Sequence, residues 1–194
     1  MEPTIETAVI AASTRRASLN GALARQIADH LSASGHPVDL IDLTDYEMPL
    51  YHGDLETDQG IPAATIALAA RLATSSRLVI TSPEYNGSFP ALLKNTIDWL
   101  TRADRSVLSH LDIHLAAASP GRLGGSRGLV HLQSWLENMR LDVASPTLSV
   151  PHASVDDAGR LVTADPVDLD SFLAAPSGAA ENGRRQPVRQ PVRQ

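Results

Sequence analysis

Three short stretches hold most of the residues able to do chemistry. The first is Ala12-Ser13-Thr14-Arg15-Arg16-Ala17-Ser18-Leu19-Asn20, lying between an apolar run and a helix-forming pattern. A helix start offers unpaired N–H groups and the positive end of a dipole. Hydroxyl and amide groups at Ser13, Thr14, Ser18 and Asn20, with the forked cation of Arg15, add what a phosphate dianion needs without a metal. The same Ser, Thr and Asn types also suit an ordinary helix cap, so this stretch alone leaves both readings open. It contains neither Gly-x-Gly-x-x-Gly nor Gly-Lys-Ser/Thr, which argues against triphosphate hydrolysis. The second stretch is Ser82-Pro83-Glu84-Tyr85-Asn86-Gly87-Ser88-Phe89-Pro90, where Pro, Tyr, Asn and Gly make a rigid turn suited to the edge of a flat heterocycle. The third is Ser119-Pro120-Gly121-Arg122-Leu123-Gly124-Gly125, whose glycines let backbone approach a ring closely.

The elements that must position these stretches follow from hydrophobic period. Thr7 to Ala12, Arg77 to Thr81 and Leu111 to Ala118 are nearly continuous apolar runs, the pattern of strands buried on both faces. Val38 to Leu43 and Thr147 to Val150 add two more strands. Leu19, Leu23, Ile27 and Leu31 repeat every four residues, with Ser18 as N-cap and Gly35 as stop, which predicts a helix. Further helices are expected from Pro62 to Ala73, from 89 to 102 with Ser88 as cap and Pro90 in the first turn, from Gly124 to Met139, and over Asp168 to Ala174. Thr44 to Gly60 reads as a long connection rich in Asp, Gly and Pro, and Asp156 to Arg160 as a turn. Strands alternating with helices predict an α/β fold with a parallel sheet and helices on both faces, and the fold expected is a doubly wound five-stranded sheet of order 2-1-3-4-5. Strands one, three and four are then neighbours, and the three stretches open onto one edge. Residues 1–175 make one domain, and 176–194, with almost no large apolar residue, are expected to be a disordered tail.

Composition narrows the partners. The chain has 194 residues, a net charge of -6 and no cysteine, which disfavours nucleic acid and anionic membranes and excludes disulfides, thiolate metal sites and a cysteine nucleophile. No apolar run reaches membrane-spanning length, the start lacks signal-peptide bases, and Arg15-Arg16 is followed by no apolar stretch, so a cytoplasmic location is expected. The seven histidines form no metal-ligand pattern; His110 and His114 are four apart, but the second falls in a strand. Lys94, the sole lysine, reads as a surface or subunit contact, and Trp99 and Trp135 as core or interface. Glu84 is read evenly as an acid beside a bound ring or as the partner of an arginine across a subunit interface.

The segment from Thr81 to Leu100, T-S-P-E-Y-N-G-S-F-P-A-L-L-K-N-T-I-D-W-L, resembles the signature of the NADPH-dependent FMN reductase family. A-S-T-R-R-A-S-L-N is similar to its G-S-x-R-x-x-S-x-N phosphate loop and S-P-G-R-L-G-G to its later glycine loop, in order over about residues 5 to 173. The resemblance implies a flavodoxin-like fold with Ser13, Arg15, Ser18, Leu19 and Asn20 at the FMN phosphate. Pro83, Glu84, Tyr85 and Asn86 would line the isoalloxazine, with Ser119 and Gly121 at its other side or polar edge. It further implies FMN and NADPH or NADH as cofactors and a ping-pong hydride transfer to quinones, free flavin or similar acceptors, in a homodimer or homotetramer. No catalytic acid or base is expected, because the cofactor does the electronic work. Tyr51, His52, Asp54 and Arg122 are expected to shape the acceptor pocket. Ala12 departs from the family's Gly, and its methyl is expected to tighten the turn. The alternatives are a flavin-binding electron carrier or sensor, and a cofactor-free interaction module.

Overall fold

The computed structural model describes residues 6–177. Thr7–Ala11 (β1) is buried at every position, as its unbroken apolar run requires, and Arg77–Thr81 (β3) and Asp112–Ala118 (β4) are buried beyond their first residue. Val38–Asp42 (β2) is half exposed because it lies at the edge, and Leu148–Val150 (β5) closes the other edge. The five strands pair in parallel in the order β2-β1-β3-β4-β5, as the alternating pattern predicts. Ala11 aligns with Thr81 and Thr81 with Ala116, so the ends of the three central strands sit side by side.

Each face of the sheet carries its own core. Leu19–Ala33 (α1) and Leu169–Leu173 (α7) pack Leu23, Ile27, Leu31, Phe172 and Leu173 against Val9 and Val79. Ala63–Leu72 (α3), Ala91–Ala103 (α4) and Ser126–Asn138 (α6) bury Leu68, Leu72, Leu93, Leu100, Leu132 and Leu136 against Ile10 and Ile80 on the opposite face. Ser18 caps α1 by accepting from the Gly21 N–H at 3.1 Å, and Asp168 caps α7 through the Ser171 N–H. Ser88 does not cap α4: that helix starts one residue after Pro90, and the Ser88 hydroxyl meets His131 Nδ1 at 2.9 Å instead.

The 44–60 connection is more ordered than its composition suggests. It holds a 3-10 turn at Leu43–Asp45 and a short helix, Gly53–Gln59 (α2), and its middle is strapped to α4. The Asn95 side chain donates to the Pro49 carbonyl at 3.0 Å and accepts from the Tyr51 N–H at 2.8 Å. Trp99 Nε1 donates to the same Pro49 carbonyl at 2.8 Å, and the Tyr51 and Trp99 rings meet edge to face. Arg102 Nε donates to both Glu56 carboxylate oxygens, at 2.8 and 2.9 Å, while the Tyr51 hydroxyl donates to Oε2 at 3.0 Å. The Arg102 hydrogen bond holds the Glu56 carboxyl below its ordinary range. With the folded value depressed, the stabilisation is present above the unfolded carboxyl range, about pH 4, and disappears as pH falls through the folded value. Acid titration followed by Trp99 fluorescence should therefore show a strap-release step below about pH 4 that is missing in Glu56→Gln.

Besides α2, a helical turn at Ser106–Ser109 (α5) and an antiparallel hairpin of Ser154–Val155 (β6) and Leu161–Val162 (β7) around the anticipated 156–160 turn fall outside the sequence expectation. Of the proposed tail, Pro176 and Ser177 pair with Ser145 and Ala144, and 178–194 lie outside the described residues. Among the described residues no helix is long and apolar enough to cross a membrane.

Candidate functional site

Strand pairing continues one residue past the sheet before the three loops diverge. The Ala12 N–H donates to the Thr81 carbonyl at 2.9 Å, Ser82 to Ala116 at 2.9 Å and Ser119 to Val150 at 3.1 Å. Ala12 is fully buried in the core and is not among the positive-φ residues, so its methyl is accommodated where the family carries glycine. Beyond it, Thr14 to Ala17 are exposed, and Ser13 Oγ accepts from the Arg15 N–H at 3.4 Å. The N–H groups of Thr14, Arg16, Ser18, Leu19 and Asn20 find no partner among the described residues, nor does the Arg15 guanidinium. The loop thus presents a concentration of open donors at the positive end of α1.

Asn20 departs from its neighbours. Its side chain is turned inward: Nδ2 donates to the Ala118 carbonyl at 3.1 Å and Oδ1 accepts from the Ala118 N–H at 3.0 Å. Leu19 packs against the core on the α1 face.

In the second loop, Tyr85 and Ser88 exchange backbone hydrogen bonds at 2.8 and 3.1 Å, making a two-residue hairpin turn of Asn86 and Gly87. Both tip residues have positive φ, 53° and 79°, the conformation that favours an Asn-Gly pair. Tyr85 is left exposed beside it, and Pro83 is partly buried at the strand end. Glu84 is held within its own chain: Arg127 donates to Oε1 from Nε at 2.9 Å, with Nη2 at 2.6 Å, and the Gly128 N–H donates to Oε2 at 3.2 Å. A Cβ at residue 128 would lie 3.1 to 3.3 Å from Glu84, so glycine lets α6 approach this closely. The sequence reads Glu84 as an acid beside a bound ring or as the partner of an arginine across a subunit interface; the arginine that pairs with it here comes from the neighbouring helix of the same chain. Arg127 itself was missed; the only local signal is an arginine in the first helical turn after a Gly-Gly pair.

The third loop folds back on β5. The Ala153 N–H donates to the Ser119 carbonyl at 3.0 Å and the His152 N–H to Gly121 at 3.2 Å. An open pocket of about 280 Å³ is lined by Glu84, Ser119, Gly121, Arg122, Gly125 and Arg127, among others. The fold therefore brings Glu84, Ser119 and Gly121 together at one mouth. Arg122 joins them as expected, whereas Tyr51, His52 and Asp54 are absent from that lining. Tyr51 belongs to the strap on α4, and His52 caps α2 through the Asp54 N–H. Lys94 pairs with Asp98 at 2.6 Å and lies over the Trp135 ring, while Trp99 is fully buried. His114, also fully buried, faces Asp112 at 3.0 Å and the Phe172 carbonyl at 3.2 Å; the Asp112 carboxyl, which burial alone would push up, is held below its ordinary range by that histidine.

Comparison with known proteins shows the family and the fold. Residues 5–155 match the family described as NADPH-dependent FMN reductase. The chain is 35% identical over 136 residues to a quinone reductase of Escherichia coli, covering 70% of this chain and 71% of that protein. It is 31% identical over 165 residues to an NAD(P)H-dependent FMN reductase of Pseudomonas aeruginosa, covering 84% and 87%. The flavoenzyme NAD(P)H:(acceptor) oxidoreductase of Paracoccus denitrificans superposes with a TM-score of 0.67 at 25% identity over 82% of this chain and 86% of that one.

Proposed function

The chain belongs to the NADPH-dependent FMN reductase family, and from that premise we propose that it is an FMN-dependent oxidoreductase that draws electrons from NAD(P)H and delivers them to quinones or related acceptors. The observation that carries this reading is the meeting, on one sheet edge, of the open N–H groups around Ser18 and the glycine-bordered pocket beside Glu84. The donor set fits FMN: a phosphate suits the N–H groups and the Arg15 cation left unpaired among the described residues, and a planar ring suits a mouth bordered by Glu84, Ser119 and Gly121.

In this reading Ser13, Arg15, Ser18 and the Leu19 and Asn20 N–H groups hold the phosphate. Pro83, Glu84, Tyr85 and Asn86 border one side of the ring, and Ser119 and Gly121 the other. FMN, when bound, would supply the hydride and electron-transfer chemistry between NAD(P)H and the acceptor. The protein's part is orientation and electrostatics. The N–H groups of Gly121, Arg122, Leu123 and Gly125, unpaired among the described residues, place positive dipole ends where negative charge develops on reduction. Arg127 neutralises Glu84, so this carboxylate does not oppose that charge. A cytoplasmic location accords with use of NAD(P)H. A homodimer or homotetramer belongs to this reading, and sedimentation measures it.

The test is an absorbance spectrum after loading with FMN and desalting, followed by anaerobic NADPH. Retained flavin that bleaches supports the reductase; retained flavin that does not bleach returns the electron-carrier reading, and no retained flavin returns the interaction module. Arg15→Ala should weaken FMN roughly tenfold to a hundredfold, the loss of a charge-assisted hydrogen bond of about 1.5–3 kcal/mol. Riboflavin, which lacks the phosphate, should bind Arg15→Ala and the parent alike in fluorescence titration.

A further inference from the structure

Asn20 closes the phosphate loop's motif, yet both polar atoms of its amide are engaged. It is 3% exposed, and both of its polar atoms are taken by Ala118, the last residue of β4 and 98 positions away. Its backbone carbonyl is also engaged, accepting from Thr81 Oγ1 at 2.8 Å. Thr81, itself fully buried, ends β3, and its hydroxyl lies 3.3 Å from the Ile10 carbonyl of β1. One residue in the first turn of α1 therefore ties that helix start to the ends of both β3 and β4. These are the strand ends from which the 82–90 and 119–125 loops depart. Buried amide groups satisfied at both ends hold geometry tightly, because any displacement leaves a donor and an acceptor unpaired away from water.

We infer that the Asn20 side chain is a positioning residue and not a phosphate ligand: it sets the distance between the phosphate loop and the glycine loop, so that one flavin spans both. This rests on the FMN-binding reading above. Its consequence concerns a ligand with no phosphate at all. Loss of the clamp frees Ala118 and with it the Ser119–Gly125 loop, so the ring side of the site should suffer as much as the phosphate side.

The experiment compares FMN and riboflavin binding by fluorescence titration in the parent protein, Asn20→Leu and Asn20→Asp, at temperatures well below each unfolding transition. Asn20→Leu, similar in branching but unable to bond Ala118, should weaken both flavins by comparable factors of tenfold or more. Asn20→Asp keeps the shape. As a carboxylate it confronts the Ala118 carbonyl with a second acceptor, whereas its protonated form restores one donor and one acceptor. Burial raises a carboxyl group's pKa, so riboflavin binding by Asn20→Asp should recover on mild acidification while the parent's stays flat. That recovery keeps the inference testable should Asn20→Leu fail to fold. FMN weakened with riboflavin unchanged would make Asn20 a phosphate ligand and overturn the inference. A lowered Tm with both affinities unchanged would reduce the clamp to a purely structural role and overturn it equally. A parent protein that binds neither flavin would instead overturn the FMN reading itself, and the inference with it.

Discussion

Trp99→Ala should lower stability by about 3–5 kcal/mol, the usual range for truncating a large buried aromatic side chain. Trp99 has no exposed surface, and its ring packs in α4 against the edge of Tyr51. Its indole N–H also satisfies the Pro49 carbonyl, so truncation leaves a cavity and removes one of the strap's hydrogen bonds. For a chain of this size the expected drop in Tm is roughly 6–20 °C, measurable by calorimetry. Proteolysis should cut the 44–60 segment first in the variant, since its hold on α4 is then reduced to Asn95 and the Glu56–Arg102 pair. Trp99→Phe, which retains most of the volume, separates the packing loss from the hydrogen bond, the latter worth about 1 kcal/mol. A change of Tm under about 2 °C in Trp99→Ala would contradict the assignment of this residue to the core.

Gly124→Ala is the second large effect, and it bears directly on the site. Gly124 has φ +60°, and a Cβ there would lie 2.7 to 2.8 Å from the backbone of Val150 and Pro151. Left-handed backbone costs a residue with a Cβ about 1–2 kcal/mol, and overpacking against atoms that cannot rotate away adds about 1–3. The expected loss is therefore about 2–5 kcal/mol, with a displaced 119–125 loop and weakened FMN retention after desalting. Gly121→Ala provides the contrast. Its Cβ would meet only Ser119 Oγ at 3.8 Å, and its φ is not in the left-handed region, so stability should change by less than about 0.5 kcal/mol. FMN affinity falling in Gly121→Ala without loss of Tm would mark that position as one that faces the ring. Gly124→Ala as stable as the parent would show that the loop can move off β5 at little cost.

The main strands and helices were legible in the residues because each depends on local period. A run such as Leu78-Val79-Ile80 has no polar side to turn to water, so it must be covered on both faces. A four-residue repeat such as Leu23, Ile27 and Leu31 can bury one stripe only as a helix. With β1, β3 and β4 side by side in the sheet, the three loops leave from one edge. The destination of individual polar side chains was not legible, because it depends on partners far along the chain. Residues 44–60 look like a free connection until Asn95, Trp99 and Arg102 on α4 supply their hydrogen bonds. Glu84 finds Arg127 only because Gly128 lets α6 come close, and Asn20 turns away from its own loop because Ala118 offers a donor and an acceptor at the spacing of an amide. Sequence alone determined the main strands and helices and the three loops that carry the site; tertiary packing decided which groups in those loops stay open to a ligand, since a buried polar atom takes whatever partner the fold brings within reach.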